Sequence, residues 1–244
     1  MATKKYALFC PIAMACEVLE PRWTILILVE MWCGATRFND IKRGVPGISP
    51  TLLSKRLKEM EANGLIERIE NTAKGTVDYI RTPLAEELEE TLELLGDWAY
   101  RNIESEVALQ NLNVDYLMWN LRQHIQVAAL PERRVVIRFH FTDLAEDKAT
   151  YWLNTRPGFP VDLCMSDPGF EVDLYIETKS EALAKVWMGY SSMRSEVAKD
   201  HIRLIGDSLL LRTIEKWFMK ISFAESNSML EDEVIPNRAA MVQR

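Results

Sequence analysis

The sequence predicts an α+β chain in two parts: a helical N-terminal domain closed by a β-hairpin, and a C-terminal domain whose helices flank a sheet. Three observations predict it. Over the first hundred positions apolar residues recur at helical spacing between Pro, Ser and Gly stops. At 65–81 two alternating runs surround a Gly-containing turn. After about Asn113 the texture changes to short runs rich in Val, Ile, Phe and Tyr. A length of 244 residues suits one large domain or two small ones. The expected divisions are 1–106, 107–222 and a tail, 223–244, without a motif.

The first helix opens at Pro11, carries Ile12, Cys16 and Leu19 at helical spacing, and stops at Glu20-Pro21. The second, 23–33, is apolar enough to be buried on most sides and ends at Gly34. A short third helix, 38–42, is terminated by Gly44 and Pro46-Gly47. The fourth, 50–63, has Ser49 as N-cap, Pro50 in its first turn and Gly64 beyond its end. Leu53, Leu57 and Met60 mark its buried face; Thr51, Ser54, Lys55 and Lys58 project on the other. The hairpin 65–81, with a basic tip at Lys74, follows at once.

Helix, turn, helix and hairpin in this order form a winged helix-turn-helix. A helix with hydroxyls near its N-terminus and lysines behind them suits the major groove of double-stranded DNA, where the first residues reach base edges and the cations meet phosphate. The expected DNA-binding residues are Arg37, Lys42, Ser49, Thr51, Ser54, Lys55, Arg56 and Lys58, with Lys74 in the wing; Arg56 lies nearer the apolar edge. The net charge of -7 does not oppose this. Residues 1–81 hold 12 Lys and Arg against 9 Asp and Glu, or +3, and the remainder holds 17 against 27, or -10. Screening over about 8 Å lets a basic face act locally.

Four cysteines, Cys10, Cys16, Cys33 and Cys164, form no Cys-x-x-Cys pair, and His124, His140 and His201 are far apart in sequence. No metal site or cofactor is expected, and the thiols should be mostly reduced and buried. No apolar run reaches the roughly 18 residues of a membrane span. The basic start is followed by Pro11 and Glu17 rather than by a signal-peptide core, so a cytoplasmic protein is expected. Without a nucleophile elbow, Walker loop or dinucleotide fingerprint, the expectation is not an enzyme. Cys10, beside Pro11 at a helix N-terminus, has two readings: a reactive thiolate that senses oxidants or electrophiles, or a small residue supporting the first helix.

In the segment 83–103, Leu84, Leu88, Leu92, Leu95 and Ala99 form a helical stripe with Trp98 beside it, while Glu86, Glu87, Glu89, Glu90 and Glu93 face outward. The pattern fits packing inside one subunit or against a partner helix.

The motifs CPIAMACEVL, RWTILIL, TRFNDI, PGISPTLLSKRLKEMEANGLIER and TPLAEEL, in this order over about ninety residues, resemble the HxlR-type transcriptional regulators. The resemblance implies a homodimer in which the N-terminal segment and the helix after the wing make the subunit contact, hence a palindromic operator and a regulator, read here as a repressor. It also gives Cys10 its sensing alternative, since some relatives use a cysteine there. One departure is Glu20-Pro21, where the family carries a Gly-rich turn; it should alter the corner and leave the fold.

In the second half, strands are expected at 134–141, 150–153, 161–165 and 171–176, with helices at 116–128, 180–188 and 209–219 and a turn at 203–207. EVDLYIETKSEALAKVWMG followed by IRLIGDSLLLRTIEKWF resembles the sterol carrier protein type two domain. That resemblance implies a hydrophobic small-molecule effector between sheet and helices, with Trp119, Phe139, Phe141, Trp152, Tyr175, Trp187, Met188, Trp217 and Phe218 as candidate ligand-binding residues, although for any one of them a plain core role is the stronger expectation. A lipid-binding protein without DNA function is the alternative reading.

Overall fold

The computed structural model describes residues 8–72, 75–103, 109 and 112–224. They divide into two compact units, the first running to Glu93 and the second from Leu94. The boundary expected at 106/107 and nearly all of the tail lie outside the described residues. Among the described residues no helix is long and apolar enough to cross a membrane.

The first unit holds α1 (Pro11–Leu19), α2 (Thr24–Trp32), α3 (Phe38–Gly44), α4 (Pro50–Ala62), strands β1 (Ile66–Asn71) and β2 (Thr76–Arg81), and α5 (Pro83–Glu86). After Glu20-Pro21 the chain turns sharply into α2. Trp23 takes the left-handed φ of 88° that a glycine would adopt freely. Its ring packs on the core and Arg22 lies 4.7 Å above it, contacts that hold a bulky residue in a conformation it otherwise avoids. Ile27, Leu28 and Met31 of α2, Ile41 of α3, and Leu53, Leu57 and Met60 of α4 close one core with Leu65 and Ile66. Glu30 is buried on α2, and its carboxylate occupies the space a side chain at Gly44 would need. That close approach is why α3 ends on a glycine.

The expected single helix 83–103 is broken into α5 and α6 (Glu89–Asn102). Glu86, Glu87, Glu89 and Glu90 crowd like charges three and four residues apart at the break, which weakens helix there. The helix α6 runs across the division between the units.

The second unit is one mixed five-stranded sheet with helices. After α7 (Val114–His124) come β3 (Val135–Phe141), β4 (Thr150–Thr155), β5 (Asp162–Cys164), β6 (Leu174–Thr178), α8 (Ser180–Trp187), α9 (Met193–Ala198), β7 (Ile202–Gly206), α10 (Ser208–Arg212) and α11 (Ile214–Trp217). The strand order is β5-β4-β3-β6-β7, with β3 and β6 parallel and the other pairs antiparallel. Ile137, Phe139, Phe141, Leu153, Leu174 and Ile176 form the buried sheet face and share a core with Leu117, Met118, Leu121, Leu183 and Trp217.

Two expectations are corrected. The turn expected at 203–207 is the edge strand β7, paired with β6 from Thr178↔Ile202 to Leu174↔Gly206. Gly206 and Asp207 are genuine stop signals, but they end a strand: a Cβ at Gly206 would lie 2.2 Å from the Asp173 carbonyl oxygen, and Asp207 caps α10 by accepting from Leu209 and Leu210 N–H. The helix expected at 209–219 is split at Thr213, whose hydroxyl bonds back to the Leu209 carbonyl at 2.8 Å.

Candidate nucleic-acid interface

In the helix-turn-helix, α3 and α4 are joined by residues 45–49, and Ser49 starts α4 by accepting the Leu52 N–H at 3.2 Å. Leu53, Leu57 and Met60 are fully buried, which fixes the rotation of α4 about its axis. Thr51, Ser54, Lys55 and Lys58 consequently share one solvent-facing side of the helix with Pro50, Glu59 and Ala62. Thirteen residues give a rod of about 20 Å. Lys55 lies 3.8 Å from Glu59, with both side chains largely exposed. Such a pair is worth less than about 1 kcal/mol and yields readily to a phosphate.

The other expected DNA contacts divide. Lys42 is exposed on α3. Ser49 has its oxygen committed to the cap. Arg56 is largely buried and paired with Glu59, so it supports α4 from the side. Arg37 is paired with Asp78 of the wing, where Thr36 also donates to Asp78 at 3.0 Å and Tyr79 N–H reaches the Thr36 carbonyl at 2.8 Å. Arg37 therefore ties the start of α3 to β2, a role the linear sequence could not show because its partner lies 41 residues away. Lys74 lies outside the described residues; the wing strands on either side of it pair in register from Ile66↔Arg81 to Asn71↔Thr76.

All four cysteines are free, and none is buried, contrary to expectation. Cys10 is exposed because α1 has no buried residue to shelter it. N–H groups of Ala13 and Ile12 hold its thiol below the ordinary cysteine range. Desolvation and the Glu30 carboxylate push Cys33 the other way, up to about 11.

The nine residues expected to line a ligand site do not converge. Trp119, Phe139, Phe141, Trp187, Trp217 and Phe218 are buried core. Met188 caps the end of α8 and is half-buried. Trp152 and Tyr175 project from the opposite sheet face, because strand alternation turns them away from Leu153 and Ile176; there they flank Arg138, whose guanidinium lies 5.9 Å from each ring. Of the nine, Phe218 alone borders the cavity of about 380 Å³ formed by the ends of α8, α9 and α11. Among the described residues no group of His, Cys, Asp or Glu could hold a metal ion.

The profile of the HxlR-like helix-turn-helix family matches residues 18–107. The HTH-type transcriptional regulator YtfH of Escherichia coli K12 is 32% identical over 103 residues, spanning 42% of this chain and 82% of that protein. The chain belongs to the HxlR-like helix-turn-helix family. YkvN, an HTH-type transcriptional regulator of Bacillus subtilis, is 33% identical over 106 residues, 43% of this chain and 88% of that protein. Among solved structures, the reduced form of the transcriptional regulator YodB from B. subtilis is 31% identical, covering 40% of this chain and 97% of that one with a TM-score of 0.36. The HxlR match ends at residue 107, before α7, so it bears on the DNA-facing elements and leaves the five-stranded sheet outside it.

Proposed function

We propose that this HxlR-type protein is a sequence-specific, homodimeric repressor that binds a palindromic double-stranded operator in the cytoplasm, without a catalytic step. The observation that carries the reading is the open face of α4, where Thr51, Ser54, Lys55 and Lys58 lie together over a buried leucine face. The helix-turn-helix regulators among its relatives support the same reading. Replacing Lys55 or Lys58 by Ala should weaken operator binding and reduce the slope of log affinity against log salt by about 0.9 each. Arg37→Ala, whose charge is already met by Asp78, should leave that slope unchanged. Filter binding at several salt concentrations reads all three, and unchanged slopes for both lysine variants would exclude α4 from the groove.

The dimer is supported by the exposure of α1. Its nine residues bury none of their side chains, and Phe9, Ile12 and Met14 are exposed. A helix this short is marginal alone and is stabilised by covering its apolar face. The resemblance of the second unit to the sterol carrier protein type two domain adds an apolar effector that modulates operator binding.

A second reading, in which Cys10 senses oxidants or electrophiles, is favoured by its full accessibility and lowered thiol pKa. Alkylating the wild type should then change operator affinity while Cys10→Ser is insensitive. Equal behaviour of the two proteins removes the sensor.

A further inference from the structure

We propose that the effector site of the second unit is the cavity of about 380 Å³ at the ends of α8, α9 and α11, that it takes a compact uncharged molecule, and that its occupancy is read by α6. This rests on the reading of the chain as an effector-modulated regulator and places the effector away from the aromatic core first expected to hold it.

The ligand class follows from the wall. Met193, Ile214, Phe218 and Met219 supply an apolar lining, and the two methionines let it adapt in shape. Glu215 and Lys220, opposite in charge and both exposed, stand at the edge, so neither an anion nor a cation gains a net advantage there. A cavity of about 150 Å³ accepts benzene, so this one suits a molecule of about two rings.

The route to α6 consists of contacts inside the second unit. Gly189 and Ala224 line the cavity, and they touch: a Cβ on Gly189 would sit 2.5 Å from that of Ala224. Next to Gly189, the Met188 carbonyl accepts the Tyr100 hydroxyl of α6 at 2.6 Å, and Tyr100 stacks on Tyr190 at 5.5 Å. Beside Ala224, the Phe223 ring fills the notch at Gly96 of the same helix. The segment ending in Ala224 is anchored by Ile221 N–H on the Trp187 carbonyl at 2.9 Å. A guest pressing on Gly189 and Ala224 therefore bears on both grips that hold α6, and α6 begins at Glu89, in the unit that carries the helix-turn-helix.

The test uses the full chain and 2-naphthol as probe, with 2-naphthoate and palmitate as comparators, by calorimetry without DNA. The expected result is saturable binding of 2-naphthol, with the naphthoate at least about tenfold weaker because its carboxylate finds no unopposed cation. Met219→Trp and Glu215→Trp, the second on an exposed position that leaves the core intact, should each abolish binding while the thermal unfolding midpoint is kept. Retention of binding in both variants, or tighter binding of naphthoate or palmitate, overturns the site or its ligand class. With operator DNA present, 2-naphthol should change affinity about fivefold or more, and Tyr100→Phe should keep probe binding while reducing that change. An undiminished change in Tyr100→Phe overturns the route. Absence of any operator binding by the wild type would instead defeat the regulator reading, while the calorimetry still judges the cavity.

Discussion

Glu196 is a buried carboxylate in the second unit with three partners: the Ser191 hydroxyl donates to Oε1 at 2.6 Å, Lys199 Nζ lies 3.0 Å from the same oxygen, and His201 Nδ1 lies 2.8 Å from Oε2. Desolvation raises its pKa, but the hydrogen bonds from Ser191, His201 and Lys199 together outweigh it and hold the group at about 2. The folded value lies below the ordinary 4.5, so the network stabilises the fold fully above about pH 4.5 and loses that contribution as pH falls toward 2. Urea unfolding at pH 6 and pH 3 should show a larger loss of midpoint for the wild type than for Glu196→Gln, and equal losses would remove Glu196 from the acid response. The same scale shows where sequence reading of the site reaches its limit. Thr51, Ser54, Lys55 and Lys58 were legible because one helix period places them opposite Leu53 and Leu57. Arg37 was not, since Asp78 claims its charge through a tertiary contact. Trp152 and Tyr175 were candidates through the sterol carrier resemblance, which does not say which side of a strand faces the core.

At the scale of elements, α1 packs on the core only through Val18 and Leu19 and leaves its first turns open, with Ile12 72% and Met14 56% exposed. If the proposed dimer uses this face, Ile12→Asp should shift it to monomer in sedimentation velocity and reduce helical circular dichroism; a wild type that is already monomeric would remove the dimer, and a variant that stays dimeric would move the contact elsewhere. Elements with local punctuation were readable to within two residues: α4 between Ser49 and Gly64, and the wing around its turn. The edge strand β7 was not. Its Ile202-Arg203-Leu204 alternation is too short to outweigh the Gly206-Asp207 signal, and only the hydrogen bonds to β6 make it a strand. The break before α6 depends on clustered glutamates, a weaker signal than any glycine or proline.

Across the whole molecule, the N-terminal fold was legible because its elements are close in sequence and each carries its own stop. The sheet was less so. Its order depends on β3 lying beside β6, a pairing no local pattern announces. That pairing brings Val136 N–H to the Asp173 carboxylate at 2.8 Å, between residues 37 apart in the chain, whereas the wing closes between Asn71 and Thr76. Parallel strands joined across so long an excursion lose much chain freedom before the contacts that reward it can form. The centre of the sheet should accordingly assemble late, after the helix-turn-helix has already taken shape. Stopped-flow refolding should show amides of α4 protected from hydrogen exchange in a faster phase than those of β3 and β6. A nascent chain would then carry a folded helix-turn-helix for some time before the sheet of its second unit exists.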